Sequence, residues 1–161
     1  MSTIKVRELS PEDWQLYKNI RLKALLDSPK SFGSSHELEV DRTKEEWEES
    51  LDKPTIFVAF LDNMPTGLIG SHTRSEYPTW RYMFSMWVDP NFRNLKIGKL
   101  LVEHFIDWAR NDRATKVVSG YSDENIDVFR FYEKLGFKKT GEKKPLSRNP
   151  SGCEYVITLD I

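Results

Sequence analysis

A change of period between residues 88 and 97 does most to limit how this chain can fold. Upstream, Trp80, Tyr82, Phe84, Met86 and Val88 put an apolar residue at every second position, the repeat of a strand with one continuous apolar face. The other face of that strand, Arg81, Met83, Ser85 and Trp87, is mixed and suits the border of a cleft. Downstream, Ile97, Leu100, Leu101, Phe105 and Trp108 fall on one stripe of a helix running to about Arg113. Val117 to Tyr121 then reads as a short strand. Strand, helix and strand in succession describe a crossover, so the chain must hold a sheet with a helix on its face.

The flanking segments extend that sheet. Ile4–Glu8 is a short strand, and Ser10-Pro11-Glu12 opens a helix that ends near Asp27-Ser28-Pro29. Ser31–Val40 reads as polar and irregular, and Thr43-Lys-Glu-Glu46 as a capping box opening a helix to about Leu51. Thr55–Leu61 and Thr66–Thr73 are strands around the turn Asp62-Asn63-Met64-Pro65. Asn125–Leu135 is a helix stopped by Gly136. Phe137–Glu142 and Glu154–Ile161 pair as strands around the loop Lys143–Gly152. The sum is an α/β protein with one mixed sheet and helices on its faces. At 161 residues, a single domain over 1–161 is expected, long enough to bury a core.

Between the strand and the crossover helix stands Phe92-Arg-Asn-Leu-Lys-Ile-Gly-Lys-Leu-Leu101, rich in basic and polar residues. The whole chain carries a formal net charge of −1, so this basic stretch is local and no general field draws nucleic acid or an acidic membrane. A helix N-terminus exposes unpaired backbone N–H groups and the positive end of the helix dipole, which together bind anions. Gly98 permits close backbone approach, and Arg93, Lys96 and Lys99 add charge. Two readings follow: a phosphate site, or a solvated basic turn capping an ordinary crossover helix.

A second stretch bears on the choice. Asn125-Ile-Asp-Val-Phe-Arg-Phe-Tyr-Glu-Lys-Leu-Gly-Phe137, taken with Arg93-x-x-Lys96-x-Gly98, resembles the acyl-CoA signature of the GNAT superfamily of N-acetyltransferases. The first motif of that family is R/Q-x-x-G-x-G/A, and the second ends in Tyr-Glu-Lys-Leu-Gly-Phe, matched fully by Tyr132–Phe137. Lys96 and Asn94 stand where members carry Gly, and Val128 where Ala is common. A Lys forced to positive φ at 96 would cost roughly 1 kcal/mol relative to Gly.

The resemblance covers the whole chain in element order. It implies a mostly antiparallel mixed sheet of about six to seven strands flanked by about four helices. It implies acetyl-CoA as cosubstrate and direct transfer to a primary amine of a small molecule or of a protein or peptide. The pyrophosphate would rest on the amides of Arg93, Asn94, Leu95, Lys96, Ile97, Gly98 and Lys99. Backbone groups of Met86, Trp87 and Val88 would bond the pantetheine arm where that strand splays from Val117–Tyr121, an N–H there polarising the thioester carbonyl. Asn125 would approach the arm from the other side, and Tyr132 would protonate the leaving thiolate. Tyr132 has a second reading as a packing aromatic beside Phe129 and Phe131. A homodimer is an expectation from the same resemblance.

Candidates for the base are His36 and Glu37, placed where relatives form the acceptor side of the cleft, with His72 and Asp123. His104 reads as structural. The only cysteine, Cys153, excludes an intramolecular disulfide framework and a multi-cysteine zinc site, and reads as a small buried hydrophobe. No apolar run approaches the ~20 residues of a membrane span, and the first ten residues lack a signal-peptide core, so a cytoplasmic protein is expected. A non-catalytic acyl-CoA-binding module on the same fold is the alternative function. A nucleotide-binding domain is disfavoured by the absence of G-x-x-x-x-G-K-[ST].

Overall fold

The computed structural model describes residues 2–146 and 151–161. Seven strands form one sheet in the order β1-β2-β3-β4-β5-β7-β6. They are β1 (Ile4–Glu8), β2 (Thr55–Leu61), β3 (Met64–Arg74), β4 (Tyr77–Val88), β5 (Lys116–Ser122), β6 (Lys138–Pro145) and β7 (Cys153–Asp160). Every neighbouring pair is antiparallel except β4 and β5, which run parallel. Residues 143–145 of the loop expected at Lys143–Gly152 belong to β6, and its residues 147–150 lie outside the described residues.

Helices cover both faces: α1 (Trp14–Asp27), α2 (His36–Glu39), α3 (Lys44–Glu49), α4 (Ile97–Asn111) and α5 (Val128–Lys134). The crossover helix α4 buries Ile97, Leu101, Val102, Phe105 and Ile106 against Phe57, Ile69, Met83 and Val117 of the sheet, with Tyr132 of α5 in the same cluster. Helices α1 and α3 cover the opposite face around Tyr17, Ile20, Trp47, Val58, Leu68 and Trp87. Burying side chains of this size stabilises by about 1.5–3 kcal/mol each, which explains why the sequence's apolar periods survive as elements.

Several local signals are realised. Thr43 accepts from the Glu46 N–H at 3.2 Å while Glu46 accepts from the Thr43 N–H at 3.4 Å, closing the capping box. The turn expected over Asp62–Pro65 is shorter: Asp62 and Asn63 take positive φ, 48° and 74°, as a two-residue turn, while Met64 and Pro65 already pair in β3. Gly136 ends α5 at φ 100°, where a side chain would be strained.

The expected face of β4 is corrected. Leu68 pairs with Trp87 but Gly70 pairs with Phe84, so β4 carries one extra residue there, and Ser85 takes φ 57°. This bulge reverses the alternation. Met83 packs under α4 before it, whereas Met86 and Val88 pack on that same side after it, and Trp87 turns to the α1 cluster. Tyr82 and Trp80 lie with Val118 and Val156. Arg81 does not border a cleft: it is buried, with its guanidinium on Asp112 at 2.7 Å. The segment Ser31–Val40, read as irregular, contains α2, capped by Ser35 and anchored by the buried Glu39.

Candidate active site

Strands β4 and β5 pair only from Trp80–Tyr82 to Lys116–Val118, with the Ser119 hydroxyl donating to the Met83 carbonyl at 3.3 Å just beyond. Past that point they diverge. The bulge at Ser85 bends β4 away, and the opening leaves strand backbone facing a gap instead of a neighbour. Two cavities meet in it. One, of about 1130 Å³, lies at the helix α4 end; the other, of about 440 Å³, lies towards α1 and β7. Lys30, Ser31, Met86, Asn125 and Val128 line both, and the Asn125 amide donates to the Ser31 hydroxyl at 3.3 Å across the junction.

The larger cavity gathers most of the residues singled out in the sequence. Met86, Trp87, Val88, Arg93, Asn94, Lys96, Ile97, Gly98, Lys99 and Asn125 all line it. Leu95 does not, and its side chain is exposed. Lys96 is the N-cap of α4 with φ 61° and ψ 25°, and Asn94 has φ 73°. Both positions where relatives carry glycine therefore adopt left-handed backbone, and the cost anticipated for Lys96 applies. Gly98 sits in the first turn of α4. A Cβ there would meet Phe131 at 3.5 Å and Val88 at 3.6 Å, ordinary contacts, so packing does not demand its glycine.

The loop is held from α1. Trp87 Nε1 and Arg93 both donate to Asp27 Oδ2, at 2.9 and 3.1 Å, and Arg93 Nε donates to the Val88 carbonyl at 3.0 Å. That carbonyl, expected to meet a pantetheine arm, is thus shared with Arg93. Asp89 caps the turn after β4 through the Asn91 N–H and pairs with Lys23. Burial works against the charged forms of Asp27 and Asp89, but these hydrogen bonds and cations outweigh it and hold both carboxyls below the usual range.

The smaller cavity is lined by Arg21, Ser85, Ser119, Gly120, Ser122, Tyr132 and Glu154 among others. Tyr132 is 5% exposed, and burial raises its phenol above the ordinary value, so it is a neutral O–H at physiological pH. Arg21 forms a fork on Glu39, with both bonds at 3.0 Å, and also donates to the Ser85 hydroxyl at 2.5 Å. Arg42 reaches the same carboxylate at 3.3 Å. Burial opposes the Glu39 charge, yet the bonds from Arg21 and Ser34 and the two guanidinium charges lower its pKa overall.

His36 and Glu37 line neither cavity; they belong to α2, whose inward residue is Glu39. His72 stacks on Tyr82 at 5.3 Å, and burial with nearby Arg74 pushes its pKa down. His104 packs its edge on Phe57 at 4.9 Å, and Asp123 lines neither cavity. Cys153 is half-buried on β7. Arg21, Glu39 and Glu154 escaped the sequence reading. A signal for the last was present, because a glycine inside the strand "VVSGYS" marks a place where another group comes close.

A mixed sheet split beside its one parallel pair, with a helix N-terminus at the mouth of the split, is the architecture of an acyltransferase. The chain belongs to the acetyltransferase (GNAT) family, whose profile matches residues 19–137. This family uses acetyl-CoA. The fold is shared with yncA of Salmonella typhimurium, solved with its cofactor acetyl-CoA: TM-score 0.76, 18% identity, over 98% of this chain and 94% of that one. It is shared too with the PaiA N-acetyltransferase of Thermoplasma acidophilum in complex with coenzyme A, at TM-score 0.72 and 20% identity over 99% of each chain. In sequence, the chain is similar to the peptidyl-lysine N-acetyltransferase YjaB of Salmonella typhimurium, 33% identical over 66 residues. That match covers 41% of this chain and 42% of the relative's own length. Among the described residues no helix is long and apolar enough to cross a membrane.

Proposed function

We propose that the protein transfers acetyl directly from acetyl-CoA to a primary amine of a small molecule or of a protein or peptide. The observation that carries this reading is the continuous passage from the α4 N-terminus through the β4–β5 gap to Tyr132. In it, the diphosphate rests on the amides at the start of α4, where N–H groups and helix dipole favour anions. Gly98 lets it come close, and Lys96 and Lys99 add charge. The pantetheine arm lies along Met86–Val88, whose backbone has no β5 partner. The thioester reaches the junction between the cavities, where Tyr132 protonates the departing sulfur.

Acceptors enter from the smaller cavity. The likeness to a peptidyl-lysine N-acetyltransferase supports a lysine side chain as one acceptor to try. The test is to titrate acetyl-CoA and then follow free-thiol release with spermidine, lysine amide and a lysine-bearing peptide. A rise in melting temperature with acetyl-CoA and thiol release with an amine are expected. No melting shift at millimolar acetyl-CoA would remove the reading, since a ligand at 100 times its Kd adds about 2.7 kcal/mol. Binding without turnover for any amine would move the protein to the acyl-CoA-binding module.

A further inference from the structure

We infer that Glu154 is the residue that receives the acceptor: its carboxylate binds the primary ammonium group and then takes a proton from it. The inference rests on the acetyltransferase reading and names the substrate class of the smaller cavity, a cationic primary amine.

Glu154 is the one carboxylate among the described residues that line this cavity. It reaches the cavity from β7 because Gly120 on β5 has no side chain. A Cβ on Gly120 would stand 2.0 Å from Glu154 Oε1 and 2.7 Å from its carboxyl carbon. The glycine therefore leaves a berth that the carboxylate fills. Glu154 pairs with Ser122 in register, and by alternation it shares a face with Val156, in the cluster of Tyr82 and Val118. Tyr132 belongs to the cluster beneath α4 and α5, on the other face. The two groups thus border the gap from opposite sides of the sheet, the arrangement a transfer between two substrates requires.

The charges around it point to a cation supplied from outside. Asp27, Glu39 and Asp89 are each paired with Arg or Lys. Among the described residues, Glu154 has neither an ion pair nor a hydrogen bond to its carboxylate. Arg21 lines the same cavity but is forked onto Glu39. Lys144 stands opposite Glu154 in the β6–β7 register without pairing with it among the described residues. Lys30, Tyr121 and Tyr132 are the other titratable groups lining the cavity. An ammonium is the ligand that a lone carboxylate in a partly desolvated cavity selects.

The proton balance fits one carboxylate and one phenol. The acceptor arrives as R–NH3+. Glu154 first binds the ammonium, and takes one of its protons as nitrogen approaches the thioester carbon. The N–C bond forms and the C–S bond breaks. The sulfur receives the Tyr132 proton, and the second proton leaving nitrogen restores the phenol. The products are the amide, the free thiol of CoA and one proton, which Glu154 releases to water.

The experiment compares Glu154→Gln, Glu154→Asp and Gly120→Ala with the unaltered protein, using the acetyl-CoA melting shift and amine-dependent thiol release. All should keep the acetyl-CoA shift. Glu154→Gln should lose a hundredfold or more in kcat/KM for the amine, within the usual ~10²–10⁴ worth of a positioned acid or base. Glu154→Asp should recover part of it. Gly120→Ala should also lose turnover, because its methyl displaces the carboxylate without removing its charge. Adding Gly120→Ala to Glu154→Gln should then cost little more. Near-normal kcat/KM in Glu154→Gln, or loss of its acetyl-CoA shift, overturns the assignment and leaves the acetyltransferase reading intact. An unaltered protein that acetylates no amine sinks both.

Discussion

The two cavities that meet at Met86 and Asn125 are assembled in opposite ways. The larger sets one run of chain, from the end of β4 through the first turn of α4, against the end of α1 and the α5 segment. The smaller takes its wall from α1, the loop after it, β4, β5, α5 and β7, from Arg21 to Glu154. The anion-binding edge of the first is a local structure whose chemistry follows from backbone N–H groups at a helix start. The second exists only when the sheet has closed around it. A cosubstrate common to a family suits a contiguous site, and an acceptor that varies between members suits one drawn from many elements.

The sharpest way to break this comparison is to remove a long-range strut from the smaller cavity. Glu39→Ala leaves Arg21 buried without its partner, which should cost about 3–5 kcal/mol of stability. Chemical denaturation measures it, and a loss near zero would mean that α2 does not brace the cavity. Acid should act on the same strut. Glu39, Asp27 and Asp89 have folded-state pKa values below the ordinary range. Their stabilisation is complete above the unfolded-state values of about 4 and is lost as pH falls through the lower folded values. A melting temperature unchanged from pH 6 to pH 3 would contradict that.

Next in size is Tyr132→Phe, which keeps the ring and its packing. Loss of the proton donor should lower kcat on the order of a hundredfold or more. Affinity for acetyl-CoA should move by only ~0.5–1.5 kcal/mol, one hydrogen bond. Near-normal kcat at saturating substrates would return Tyr132 to a packing role. Gly98→Val then tests the local cavity: the fold should persist, given the ordinary contacts at Cβ, while acetyl-CoA binding weakens about tenfold, or 1.4 kcal/mol. Calorimetric titration decides. The smallest effect is Lys96→Gly. Relief of left-handed strain should stabilise the protein by about 1 kcal/mol. A destabilised variant would show that the Lys96 side chain contributes more than its backbone costs.

Legibility in the sequence follows the same division. The capping box at Thr43, the Asp62-Asn63 turn, the Gly136 stop and the strand-to-helix handover each depend on neighbours in sequence, so each was readable. The bulge in β4 was not. Its extra residue is a serine, without the glycine that often announces such a kink, and Ser85 is bonded by Arg21 from 64 residues away. Apolar residues on both faces of β4 let the alternation look unbroken. Helix α2 is only four residues long and depends on Glu39 finding Arg21 across 18 residues, a pairing that no local pattern announces. Glu154 carries no motif, and its meaning comes from a glycine on a different strand.

The narrow pairing of β4 with β5 has a mechanical consequence. The sheet is two plates, β1–β4 and β5–β7–β6, joined by a seam of three residue pairs. A ligand laid along Met86–Val88 and touching β5 would act as a splint across that seam. Backbone amides on both plates should then exchange with solvent deuterium more slowly when acetyl-CoA is added, even those far from any atom of it. Slowing confined to β4 would mean that the ligand rides on one plate and leaves the seam as loose as before.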